Sequence, residues 1–145
     1  GVDVGISEVN WLGVIAAWFV AFIIAFNWFS GKAFYPVWMR SMGKQPGEGH
    51  DGNKGMATIF GLTILSGIFQ AFVLSVILIA VSKANAGNVD LVTGGGIGFL
   101  AGCAIATAAL GHFLFAGRTL KTWVIEFGND ILNWTAMGIV LSFFY

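Results

Sequence analysis

Charge is scarce in this chain: only 10% of its residues are Asp, Glu, Lys or Arg, and the formal net charge is zero. Such a balance leaves no basic surface for nucleic acid and no acidic tail for a basic partner. Cysteine is nearly absent as well. Cys103, the single one, lies within "GFLAGCAIATAAL", which excludes an internal disulfide and a cysteine-based metal site. It reads as a buried small hydrophobe. Cofactor fingerprints are missing: "TGGGIG" at residues 93–98 has neither the strand before it nor the Lys-Ser/Thr after it that a nucleotide cradle needs. No nucleophile stands beside a base, and the one soluble loop is short, so nothing points to an enzyme. The two halves of the chain share no repeat of the kind that marks many transporters.

What is abundant is apolar surface. Hydrophobic residues make up 57% of the chain and its mean hydropathy is +0.84, far outside the range of a soluble domain. A single all-α domain over residues 1–145 is expected, an integral membrane four-helix bundle. Four stretches are long enough to cross a bilayer, at residues 10–29, 56–82, 93–116 and 120–144. Before the first stand only Asp3 and Glu8, with no basic segment and no small-x-small cleavage site after it, so it reads as a retained span. The start at Gly1 fits either removal of Met or removal of a presequence.

The distribution of cations sets an expected orientation. Lys32, Arg40, Lys44, Lys54, Arg118 and Lys121 fall on one side of the spans and only Lys83 on the other. Loops 31–55 and 117–119 are therefore expected on the cytoplasmic, stromal or matrix side of a bacterial plasma membrane or an organellar membrane, with both termini outward. Within the first loop, "GKAFYPVWMRSMG" suits a short interfacial helix starting near Pro36. "KQPGEGHDGNKG" reads as a solvated turn region, and its His50 and Asp51 as solvated rather than metal-bound. Trp11, Trp28, Trp38 and Trp123 fall near span ends, where an indole is buried and hydrogen-bonds outward, so they read with Arg118 and Lys121 as interfacial anchors. In the third span Gly94, Gly98, Gly102 and Ala106 recur every four residues, a face that lets two helix backbones approach closely. Its partner is a span of this chain or another subunit.

The last span carries an anomaly. "EFGNDILNW" puts Glu126, Asn129, Asp130 and Asn133 within an arc of roughly 100°, a stripe that cannot face lipid. Asp130 lies about 15 Å into the span, near the middle of the hydrocarbon, where an ionised Asp costs about 2.5–3.5 kcal/mol. Depth matching sets His112 and Asn27 beside Glu126 and Gln70 beside Asn133. One reading is a hydrogen-bond network that fixes helix packing; the others are a proton or ion relay, a pigment or lipid-headgroup contact, and a metal site. Metal is the weakest, with one His and two carboxylates from a single helix on offer, and none is predicted. "ExxN" is similar to the chlorophyll-ligating helices of light-harvesting proteins, with His112, Asn129 and Gln70 as candidate ligands. Those helices pair Glu with an Arg from another helix, and here Arg118 is in a loop, so no cofactor is predicted.

The order of landmarks resembles the small four-span membrane proteins grouped as domain of unknown function 1761. The matching features are "NW" at Asn10 and Trp11, "WF" at Trp28 and Phe29, Gly31 and Lys32 followed by "WMRSMG" at residues 38–43, and "FAGRTLK" at residues 115–121. The resemblance implies a four-helix topology and no activity. Members tend to carry a Tyr-His pair where this chain has Asn129 and Asp130, so no role is carried over there.

Four helices around one seam are expected to leave little room for a substrate cavity. The favoured function is that of a non-catalytic accessory or structural subunit. It would pack through its glycine face and aromatic surface against membrane subunits of a larger complex, bioenergetic or photosynthetic, or against itself. The alternative is a small transporter or proton- or ion-conducting protein using Glu126, Asp130 and His112.

Overall fold

The computed structural model describes residues 5–44 and 55–145, the side chain of Met56 excepted. His50, Asp51 and Lys54 lie outside the described residues. A 3-10 turn at Ile6–Glu8 leads into α1 (Trp11–Trp28), α2 (Tyr35–Ser41), α3 (Met56–Ala84), α4 (Leu91–Phe115) and α5 (Leu120–Ser142), with no strand among the described residues. Helices are what an apolar chain of this kind must form, because they satisfy each backbone N–H and C=O within the segment. Helices α1, α3 and α4 are long and apolar enough to cross a membrane, which marks a membrane protein. Helix α5 matches them with 23 residues, but Lys121, Glu126 and Asp130 lower its apolarity.

Side chains set the helix starts. Asn10 Oδ1 accepts from Gly13 N at 3.2 Å, Asp90 Oδ1 from Thr93 N at 2.7 Å and Thr119 Oγ1 from Thr122 N at 3.2 Å. The Thr93 amide holds the exposed Asp90 carboxyl below its usual range, a capping bond that favours the charged form. Pro36 stands in the first turn of α2, where its missing N–H costs nothing. At the end of α4, Gly117 adopts φ 78°, and Arg118 N bonds back to Phe113 O at 3.0 Å. That cap reverses the chain within a few residues and lays α5 antiparallel along α4.

Helix α5 is the organising element: it touches each of the other four, α4 most extensively. Gly94, Gly98, Gly102 and Ala106 are buried against it. A methyl group at Gly98 would overlap the carbonyl of Trp134, and one at Gly102 would lie 2.9 Å from Ile131 Cα. Gly138 returns the approach from α5, against the carbonyl of Gly94. The small-residue face therefore finds its partner inside this chain, and the glycine part of the surface expected to dock another subunit is covered.

The apolar core sits toward one end. Val14 and Ala17 of α1, Leu74 and Leu78 of α3, and Met137 and Leu141 of α5 are fully or nearly fully buried there. Toward the other end α3 leaves the bundle, and every residue from 57 to 66 is exposed. That divergence opens a space between α1, α3 and α5.

Candidate functional site

The polar stripe of α5 is divided between two places. Glu126, nearer the helix start, takes part in a latch. Its Oε1 accepts from Arg118 Nη2 at 3.2 Å and from Trp38 Nε1 at 3.1 Å, so loop and α2 converge on one carboxylate. The guanidinium also lies 4.2 Å over the Phe113 ring and 3.4 Å from Met42 Sδ. Thr122 Oγ1 donates to Ser41 Oγ at 2.7 Å and completes the joint between α2 and α5. Arg118 lies in the loop as expected, and it reaches Glu126 from there because the Gly117 turn folds it back over the first turns of α5.

The proposed cluster of Asn27, His112, Glu126 and Asp130 does not assemble. Asn27 is exposed and its Nδ2 donates to Ile23 O of its own helix at 2.8 Å. His112 is exposed, while its neighbour Phe113 packs edge-on against Phe127 with centroids 5.3 Å apart. A step of about 100° per residue turns His112 away from α5 although its depth is right. Among the described residues no three His, Cys, Asp or Glu gather as a metal site. The candidate pigment ligands do not share a site either, since His112 is apart from Gln70 and Asn129.

Gln70, Asn129, Asp130 and Asn133 do come together. They border a cavity of about 500 Å³ between α1, α3 and α5. This corrects the expectation of a bundle too tight to hold one, and its cause is the divergence of α3. Aromatic rings of Trp18, Phe22, Phe26 and Phe60 form the wall, and Phe22, Phe26 and Phe60 are exposed, so the cavity opens sideways between α1 and α3.

The polar floor is only partly satisfied. Gln70 is held from both ends, its Oε1 accepting from Trp134 Nε1 at 2.9 Å and its Nε2 donating to Ser66 Oγ at 3.0 Å. Thr63 donates to Ile59 O at 2.7 Å. Asn129 is 5% exposed, and its Oδ1 and that of Asn133 are buried without a donor. Asp130 forms no hydrogen bond or ion pair with a described residue. Thr63 and Ser66 were not anticipated, yet with Gln70 they follow an i, i+3, i+7 spacing that puts all three on one face of α3.

The tryptophans also depart from expectation. Trp28 Nε1 donates to Ile125 O at 2.9 Å and Trp123 Nε1 to Ala106 O at 2.8 Å, so with Trp38 they bind helix to helix rather than protein to headgroup. Trp11 stacks on Phe72 at 5.5 Å and is exposed. Lys121 is exposed, and Cys103 is free and half-buried. Beside the latch, a cleft of about 740 Å³ gathers Arg40, Lys44 and Arg118 at one end of the bundle.

Residues 12–142 match the model of a family described as Protein of unknown function (DUF1761). The chain belongs to that family. The match runs from α1 into the last turn of α5, so seam, latch and cavity all lie within the family's unit. No curated protein and no solved structure matches the chain.

Proposed function

We propose that the protein is a non-catalytic membrane protein of four crossing helices that holds a small amphiphilic molecule within the bilayer, as a carrier or a receptor. The observation that carries this reading is the cavity between α1, α3 and α5, with its aromatic wall and its incompletely bonded polar floor. Its volume falls in the range of small-molecule sites, and its sideways opening suits entry from lipid. In this reading α5 crosses the membrane because its polar groups face the cavity and the latch instead of hydrocarbon. Arg40, Lys44 and Arg118 then lie at the inner surface, toward anionic lipid.

A second reading, an accessory subunit, is favoured by the exposed run at residues 57–66 of α3, which a neighbouring subunit or a second copy would cover. One experiment separates the two: gentle extraction from the native membrane, then native mass spectrometry and an absorption spectrum of the wild type and of Ala25→Trp, which plugs the cavity wall. The cavity reading expects a small molecule on the wild type that is lost from Ala25→Trp. Large subunits retained equally by both, with no small molecule, would support the accessory reading instead.

A further inference from the structure

The cavity's chemistry is one-sided, and its asymmetry narrows the ligand. Among the described residues that line it, Asp130 supplies the only ionisable group, and none of them is a Lys, Arg or His that would balance it. On either side of it along α5, Asn129 and Asn133 keep carboxamide oxygens without donors. Both residues border the cavity, and the terminal torsion of an Asn side chain is broad and roughly two-fold, so a ligand there can draw either oxygen toward it. Buried acceptors left unpaired cost free energy, and a ligand bearing N–H donors removes that cost. The wall on α1 and α3 is aromatic, with Trp18, Phe22, Phe26 and Phe60, rings whose faces carry negative potential. A carboxylate, two carboxamide oxygens that lack donors and an aromatic wall all favour the same partner charge.

Resting on the reading of this cavity as a ligand site, we infer that its ligand is an organic cation: a protonated amine attached to an apolar body. The ammonium sits at Asp130, Asn129 and Asn133, and the body lies along the rings of α1 and α3. A bare metal ion would leave most of about 500 Å³ unfilled and the aromatic wall without a partner. An anion would face Asp130 with no cation to offset it. A neutral apolar molecule would leave the α5 oxygens as they are, unpaired.

The test is equilibrium dialysis of 4-phenylbutylamine and its neutral counterpart 4-phenylbutanol against the full chain in nanodiscs of zwitterionic lipid, with protein-free nanodiscs subtracted for partitioning. Hydrogen bonds to a charged group are worth enough that the amine should bind at least about tenfold more tightly than the alcohol. Asp130→Asn should bring the amine down to the alcohol's affinity. Equal binding of both ligands to the wild type would overturn the cation assignment and leave the cavity as a site for neutral amphiphiles. Binding of neither above the protein-free nanodiscs would overturn the ligand-site reading as well. Because the decisive comparison uses two ligands on one unmodified protein, it stands even if Asp130→Asn does not fold.

Discussion

The two faces of α5 are built on opposite rules. Toward α4 the helix meets glycines so closely that backbone rests on backbone, and no added atom fits at Gly98 or Gly138. Toward α1 and α3 it meets a cavity with polar groups at the floor and rings at the wall. Backbone laid on backbone at the glycine seam gains close dispersion contacts, and these hold α4 and α5 together. A rigid seam allows the other face to remain open, because the position of Asn129, Asp130 and Asn133 is fixed from behind. Closeness on one side and space on the other are two parts of one arrangement.

Breaking the seam should have the largest effect. Gly98→Leu drives a branched side chain into the Trp134 carbonyl, and overpacking against backbone is expected to cost about 3 kcal/mol or more. Thermal unfolding in detergent should show loss of the folded state. At the boundary of the two faces, Trp134→Phe removes the donor to Gln70 and leaves its Oε1 unpaired, for about 1–3 kcal/mol on the same assay. Glu126→Gln at the latch is milder. The Arg118 and Glu126 side chains are 37% and 23% exposed, so screening trims their pairing and a loss of about 1 kcal/mol is expected, reduced further by salt.

The smallest effect concerns Asp90 at the start of α4. Its carboxyl titrates lower in the folded state than in the unfolded one, so its capping contribution is full above the ordinary Asp value. The contribution fades as pH falls through the lowered folded value. The protection factor of the Thr93 amide, corrected for the intrinsic slowing of exchange in acid, should fall with acidification while those of the seam amides at Gly98 and Gly102 do not change.

Much of this was legible in the sequence, and what was missed has physical causes. The helix bounds and the α2 turn follow from apolar runs, Asn10, Pro36 and Thr119. The glycine spacing announced a close helix pair, though spacing alone does not name the partner. The α5 stripe was legible as covered, yet its division into latch and cavity depends on tertiary geometry. The His112 assignment failed on rotation: depth counts residues, whereas contact also requires the helix face, and Phe113 holds that face. The reach of Arg118 needed the Gly117 turn. The cavity needed the divergence of α3, which no local pattern encodes, although Thr63, Ser66 and Gln70 aligned on one face were a signal of it.

The contrast between the faces reduces to one measurement: the rate at which membrane-permeant N-ethylmaleimide labels Asn133→Cys and Ile131→Cys, each in a Cys103→Ser background. These positions are two residues apart on α5, one bordering the cavity and the other with its Cα and carbonyl laid against Gly102. The account predicts that Asn133→Cys is labelled, that Ala25→Trp suppresses this labelling, and that Ile131→Cys is protected. Equal labelling of the two, or labelling of Asn133→Cys that Ala25→Trp leaves unchanged, would contradict it.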